Sequence, residues 1–236
     1  MKILWFFLSL LLQKDKKFLY YRSRGDERMQ LNEIHTLMKT YGQKQSFKKN
    51  TSIFKMSERP RNFYLLEEGW IKIAQEGEDG QAITLALRKS GDLFGLVEIL
   101  AKEKYRLRYA YSLTDITVYA LSTEKLYELV QDNPNIMTVL CTIMAQRLLE
   151  AQNFIKAITS MSVPHRLAWF LQLFSKDKNG VLTTELPLTH EEISYILGCS
   201  RQKVTSFLNR WRKQGYITYK RGVIEILDQQ AILLEE

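Results

Sequence analysis

Residues 188–217 read LTHEEISYILGCSRQKVTSFLNRWRKQGYI, and the spacing inside this stretch decides how the C-terminal part of the chain folds. Thr189 stands three residues before Glu192, the pattern of a capping box, and Ile193, Ile196 and Leu197 follow on one helical face. A short helix is expected there. Gly198 suits the sharp turn that ends it, and Ser200 suits the cap of a second helix. In that helix Val204, Phe207, Leu208 and Trp211 recur at i, i+3, i+4 and i+7, one stripe that has to be packed. Arg201, Gln202, Thr205, Ser206, Asn209 and Arg212 fall on the other faces.

Two helices joined by a tight glycine turn make a helix-turn-helix, whose second helix can enter the major groove of DNA. The chain then continues as QGYITYKRGVIEIL. Tyr216–Tyr219 and Val223–Leu227 are β-rich runs around Lys220, Arg221 and Gly222, which predicts a hairpin wing with two cations at its tip. From Thr189 to Gly222 seven Lys/Arg face two Glu. A helix hairpin alone is a weak signal, and a basic solvated helix pair is the plain alternative. Hairpin, polar helix start and basic wing tip at this spacing are together a strong one, and they point to double-stranded DNA.

The rest of the 236-residue chain sets the bounds. Hydrophobic residues make up 45%, enough for a core in one large or two small domains. The formal charge is +8, but residues 1–28 hold seven Lys/Arg against three Asp/Glu. Half of the excess is therefore local to the N-terminus, and the case for a polyanionic partner rests on pattern. Cys141 and Cys199 are too few for a disulfide framework or a four-thiolate iron–sulfur site, so a reduced, cytoplasmic setting is the simpler expectation. The N-terminus carries an apolar run, Ile3–Leu12, broken only by Ser9. It is too short to span a bilayer, which takes about 20 residues, and no small-x-small cleavage site follows. Three readings stay open: an interfacial anchor, a helix packed on the body, and an extension upstream of a natural start at Met29.

From Met29 to Tyr41 the spacing of Leu31, Ile34, Leu37 and Met38 predicts a short amphipathic helix. The texture then changes to short β-rich runs, NFYLLEEG, WIKIAQ, AITLALR, YAYSL and ITVYAL, with the turn signal EGEDGQ between the second and third. Many short strands with regular turns predict a sandwich or jelly roll. A long helix is expected from Pro134 to about Met161. Met137, Leu140, Met144, Ala151, Phe154, Ile158 and Met161 alternate by three and four, interrupted only by Arg147 and flanked by Ile136, Ile143, Leu148 and Ile155. A buried core helix is the alternative, but about seven turns exceed what a small β domain can cover, which favours a dimer helix. A further amphipathic helix carries Leu167, Phe170, Leu171 and Phe174, and SKDKNG reads as a polar break.

LTHEEISYILGCSRQKVTSFLNRWRKQGYI, FYLLEEGWIKI, SGDLFG and MAQRLLEAQ together resemble the Crp/Fnr family of bacterial transcription factors, over roughly Leu31–Leu227 and in the family's order. The resemblance implies an α+β architecture: an N-terminal cyclic-nucleotide-binding-type β jelly roll, a long dimerisation helix, and a C-terminal winged helix-turn-helix. It places Arg201 where cyclic-AMP-type members contact a guanine edge, a physically sensible bidentate pair. Gln202 replaces a family glutamate and Ser206 a family arginine, so the half-site is expected to differ. Thr189, His190, Lys203, Lys220 and Arg221 fit phosphate contacts, which set register and affinity. Ser200 and Thr205 complete the expected DNA-binding set.

The sensor segment departs further from the resemblance. Leu96 follows Gly95 where a cyclic-AMP binder has a glutamate for the ribose. Arg106 aligns with the phosphate-clamping arginine, but Leu107 replaces the adjacent serine. Ala151 and Gln152 replace two hydroxyl residues that meet the adenine. A buried phosphate needs charge-assisted donors and a ribose needs its acceptor. No physiological cyclic-nucleotide binding is therefore expected, and Arg106 and Arg108 are read as salt-bridge or edge residues that keep the capacity to hold another small anion. The N-terminal cysteine cluster of iron–sulfur members is absent, and His35, His165 and His190 are scattered. Cys199, just before the recognition helix, reads as a small buried filler, with a redox switch as the alternative.

The expectation is a homodimeric, sequence-specific DNA-binding regulator. Its parts are a 1–28 extension, a 29–133 β-roll, a 134–161 dimerisation helix and a 162–236 winged helix-turn-helix. Residues 200–214 would lie in the major groove, with RNA polymerase and an unknown small-molecule effector as further partners. No cofactor, metal or catalytic residue is expected, because no nucleophile–base pair, metal cluster or glycine-rich phosphate loop appears. The alternatives are a membrane-tethered regulator of the same type, held through residues 3–12, and a ligand-binding sensor that does not touch DNA.

Overall fold

The computed structural model of the protein describes residues 25–77, 82–220 and 222–234. The apolar run at residues 3–12, and with it the choice among the N-terminal readings, lies outside them, as do the tip of the 76–81 turn and Arg221. Among the described residues no helix is long and apolar enough to cross a membrane.

In chain order the elements are α1 (Gly25–Tyr41), β1 (Gln43–Phe47), β2 (Ser52–Phe54), β3 (Asn62–Glu68), β4 (Trp70–Glu76), β5 (Ala82–Lys89), β6 (Leu93–Phe94), α2 (Val97–Leu100), β7 (Tyr109–Ser112) and β8 (Ile116–Ser122). Then come α3 (Thr123–Asp132), α4 (Asn135–Ser160), α5 (Val163–Phe174), β9 (Lys176–Lys178), β10 (Val181–Glu185), α6 (His190–Leu197), α7 (Arg201–Lys213), β11 (Ile217–Lys220), β12 (Val223–Ile226) and α8 (Gln229–Leu234). The fold is the α+β architecture expected.

The first eight strands make two four-stranded antiparallel sheets, ordered β1-β8-β3-β6 and β2-β7-β4-β5. Alternation along the strands sorts the side chains. Tyr64, Leu66, Val118 and Ala120 point between the sheets and meet Phe54, Ile71, Phe94 and Ala110 there. Phe63, Leu65 and Leu121 point outward, where α1, α3 and α4 cover them with Ile34, Met38, Leu126, Val139, Leu140 and Ile143. Tyr64 stacks on Phe94 with ring centroids 4.9 Å apart, tightening the roll.

Only the first half of α4 packs on this roll, through Ile136, Val139, Leu140 and Ile143. Ile136 and Ile143 come from the expected flanks and Leu140 from the expected seam, so both stripes supply buried residues. Leu148 and Ile155 on the second half stay more than 60% exposed. Arg147, the interruption in the apolar pattern, has a structural use: it bridges Asp92 and Glu150, each at 3.0 Å. Burial opposes its charge, yet these two carboxylates outweigh burial and hold the guanidinium above its ordinary pKa.

The C-terminal module adds a third sheet, β11-β12-β10-β9. SKDKNG is not a mere break: Asn179 and Gly180 both take positive φ, 56° and 84°, and join β9 to β10 in the two-residue hairpin turn that suits such a pair. Around this sheet α5, α6, α7 and α8 close one core that includes Leu167, Phe170, Ile193, Leu197, Val204, Leu208, Trp211, Ile224 and Ile232.

Candidate nucleic-acid interface

Thr189 caps α6. Its hydroxyl accepts from the Glu192 backbone N–H at 3.1 Å, and Glu192 Oε2 accepts from the Thr189 backbone N–H at 2.9 Å, so the capping box is complete. The Thr189 hydroxyl also donates to that carboxylate at 3.2 Å, which leaves it without a spare proton for an anion. Gly198 ends α6 with φ of 59°, a left-handed backbone that a side chain would strain. Ser200 then caps α7 by accepting from the Lys203 backbone N–H.

On α7 the stripe of Val204, Leu208 and Trp211 is buried at 1% exposure or less. Each such side chain contributes roughly 1.5–3 kcal/mol of transfer free energy, so the roll of the helix about its axis is held firmly. Arg201, Gln202, Lys203, Ser206, Asn209 and Arg212 are exposed around the rest of the helix. Thr205 is half-buried, and its hydroxyl lies 3.0 Å from His190 Nδ1. His190 in turn stacks on Tyr219 of the wing, with centroids 5.8 Å apart. Burial, and then the charge of Arg201, lower the His190 pKa below its ordinary value, which keeps the ring neutral. Thr205 and His190 thus form a brace between α6, α7 and the wing. Lys220 is exposed at the end of β11 and pairs in register with Val223.

The structure brings together only part of the expected sensor set. Arg106 is buried at 3% exposure beside Gly95, donating through Nη1 to the Gly95 carbonyl at 2.7 Å. Leu96 is buried at 2% and offers no acceptor. Arg108 is half-buried, while Ala151 and Gln152 are exposed on α4 and do not join the buried cluster. Three partners of Arg106 were not anticipated: Glu98 at 3.1 Å, the Asn62 carbonyl, and the Phe54 ring, whose centroid lies 4.2 Å from Cζ. The available signal was an acid inside the apolar run LFGLVEIL, a residue type that is rarely buried unpaired.

Cys199 is half-buried, and burial raises its pKa, consistent with a packing role. Cys141 is exposed on α4. Among the described residues no three His, Cys, Asp or Glu side chains gather as a metal site would require.

Residues 44–133 match the cyclic nucleotide-binding domain model, and residues 165–233 match the Crp-like helix-turn-helix domain model. Curated relatives include the global nitrogen regulator of Nostoc sp. strain PCC 7120, 24% identical over 77% of this chain and 84% of that protein. They also include the cyclic AMP receptor protein of Thermus thermophilus, 27% identical over 84% of this chain and 88% of that protein. The structure resembles FixK2 from Bradyrhizobium japonicum with a TM-score of 0.73 at 20% identity, covering 81% of this chain and 95% of that one. It also resembles a Crp/Fnr-family transcriptional regulator from Thermus thermophilus with a TM-score of 0.62 at 25% identity, covering 80% and 96%. Relatives named for nitrogen regulation and for cyclic AMP lie at nearly equal identity, so overall similarity does not choose an effector.

Proposed function

The chain belongs to the Crp/Fnr family of DNA-binding transcription regulators, and from that premise we propose that it acts as a homodimer, reads a near-palindromic site with α7 in the major groove, and does not answer to cyclic AMP. In this reading residues 29–133 form the sensor-like roll, 134–161 pair the two copies, and 162–236 read DNA. RNA polymerase and a small-molecule effector are the further partners implied.

One observation carries the reading: α7 is clamped along Val204, Leu208 and Trp211 while Arg201 at its first turn, and Gln202 and Ser206 on its outer side, stand exposed. A helix that enters a groove needs this division, because its reading side must be both wet and held at one rotation. Arg201 has the fork to meet a guanine edge, and Gln202 can donate and accept at an adenine edge. Lys203, Lys220 and Arg221 supply phosphate contacts, with the capped starts of α6 and α7 at Thr189 and Ser200 beside them. His190 and Thr205 brace the reading surface.

The chemistry of the lining disfavours cyclic AMP. Leu96 and Leu107 supply no acceptor or donor, and Ala151 supplies no hydroxyl. A ribose and a cyclic phosphate buried there would leave polar groups unpaired.

Selection of bound fragments from random DNA tests the main claim. A near-palindromic consensus with half-sites about one helical turn apart is expected. Equal recovery of all sequences at low ionic strength would overturn it. Calorimetric titration with cyclic AMP, expected to be flat, tests the second.

A further inference from the structure

The carboxylate of Glu98 is 3% exposed and sits between two guanidinium groups. Its Oε2 lies 3.1 Å from Arg106 Nη1 and its Oε1 lies 3.7 Å from Arg108 Nη1. The other Arg106 bonds go to neutral groups, the carbonyls of Gly95 and Asn62 and the face of Phe54, and its Nε has no partner. A guanidinium this deeply buried has to meet an anion or be held at high cost. The chain supplies that anion from the first turn of α2, three residues after Gly95. The pocket has no slack at this point: a Cβ on Gly95 would stand 3.3 Å from Arg106 Nη2 and 3.4 Å from the Phe54 ring.

We propose that Glu98 is the built-in counter-anion of the roll: it holds the position from which a small oxyanion would reach Arg106, and so determines that the domain takes up no phosphate-bearing ligand there. This deepens the reading of the roll as blind to cyclic AMP and rests on it. The missing hydroxyls explain why a nucleoside would bind poorly. Glu98 explains why the anion itself is refused, since an incoming phosphate must first expel a carboxylate into a site that offers it no other cation but Arg108. Removing the carboxylate while keeping Arg106 turns the position into a receptor for small oxyanions, phosphate and acetate alike.

The test is thermal melting of the full-length chain and its Glu98→Ala variant in sodium phosphate, sodium acetate or sodium chloride at matched ionic strength and pH, with cyclic AMP as a further arm. Ligand that binds only the folded state raises the melting temperature with its concentration. The response of the wild type to phosphate and acetate sets the baseline, since excluded salts stabilise any folded protein without a site. Glu98→Ala is expected to melt lower in chloride and to gain several degrees more than the wild type does in phosphate and in acetate. The regain should vanish in Glu98→Ala/Arg106→Met. If Glu98→Ala does not fold, Glu98→Gln carries the same comparison, because it keeps the shape and an acceptor oxygen but not the charge. A folded variant whose responses to phosphate and acetate match those of the wild type overturns the counter-anion role alone. Saturable cyclic AMP binding by the wild type, lost in Arg106→Met, overturns both that role and the reading it rests on.

Discussion

The ammonium of Lys72 on β4 lies 2.9 Å from Oε1 of Glu192 on α6, with both side chains about four-fifths buried. This ion pair joins the β-roll to the first helix of the helix-turn-helix, and it uses the same carboxylate that closes the capping box of α6. Apolar contacts reinforce it: Leu87 and Leu113 of the roll are buried in the core of the C-terminal module, and Trp70 meets Phe174 with ring centroids 5.8 Å apart. The reading module is therefore not a free pendant.

Removing the ammonium should be costly but not ruinous. Lys72→Met keeps most of the stem and is expected to lower the unfolding free energy by about 1–2 kcal/mol, between the values of exposed and fully buried pairs. Burial pushes the Glu192 carboxyl up, but hydrogen bonds from the Thr189 backbone and from Lys72 outweigh it and hold the group below its ordinary pKa. A lowered folded-state pKa means stability that is complete above the unfolded value, about 4.3, and lost as pH falls through the folded one. The gap between wild type and Lys72→Met in urea melts should thus be constant from neutrality to about pH 5 and shrink in stronger acid. A gap that persists undiminished in strong acid would show that the stem, not the charge, makes the contact.

The C-terminal reading was legible because local signals agree there. Capping box, glycine turn, serine cap and apolar stripe all lie within 23 residues and all appear in the structure, with Val204, Leu208 and Trp211 buried and Phe207 half-buried. The five β-rich runs became β3, β4, β5, β7 and β8 for the same reason. The strands that went unread are short or polar. β1 is QKQSF, β2 and β9 have three residues and β6 has two, so none shows the period that marks a strand. β10, VLTTE, also went unread although its Val and Thr favour a strand, because a single five-residue run after a polar turn is easily passed over. On α4 the uncovered stripe runs one residue on from the seam read from spacing, because which of two adjacent apolar stripes meets the roll depends on how the helix docks. Glu98 and Lys72 were illegible in a different way. Their partners lie 8 and 120 residues off, and no local pattern encodes which cation a buried acid will meet.

Arg201 tests direct readout. Arg201→Ala should weaken binding to the selected site by about 1–3 kcal/mol and relax the preference at one base pair per half-site. Competition assays with site variants measure this. Full affinity with unchanged base preference would move the reading role to another residue of α7. Arg201 is exposed in the structure, so a thermal melt should barely change, which separates lost contacts from lost folding.

Lys220 tests the wing. An exposed lysine at a hairpin tip can meet phosphates without reading bases. Lys220→Ala should therefore weaken specific and non-specific DNA in equal proportion, and it should reduce the slope of log K against log salt by about one unit per protomer. Filter binding at several salt concentrations gives both numbers. A loss confined to one operator would assign Lys220 a base or a shape contact instead.

The second half of α4 tests how two copies meet. Thr138, Cys141, Ala145, Leu148, Gln152, Ile155 and Thr159 are exposed and alternate by three and four along one face, the spacing of a two-stranded seam. If parallel copies pair along it, each residue faces its own counterpart, and Leu148 and Ile155 lose their contact with water. Leu148→Glu/Ile155→Glu would then set like charges against each other twice. The expected result is half the mass by light scattering, unchanged helicity by circular dichroism, and loss of tight binding to palindromic DNA. The same geometry brings Cys141 of one copy opposite Cys141 of the other, within the roughly 4.4–6.8 Å between Cα atoms that a disulfide spans. Diamide, as the oxidant that takes up the two thiol protons and two electrons, should therefore cross-link the wild type. It should leave Cys141→Ser and the double glutamate variant uncross-linked. A double glutamate variant that keeps the full dimer mass would mean that the copies associate through a different surface.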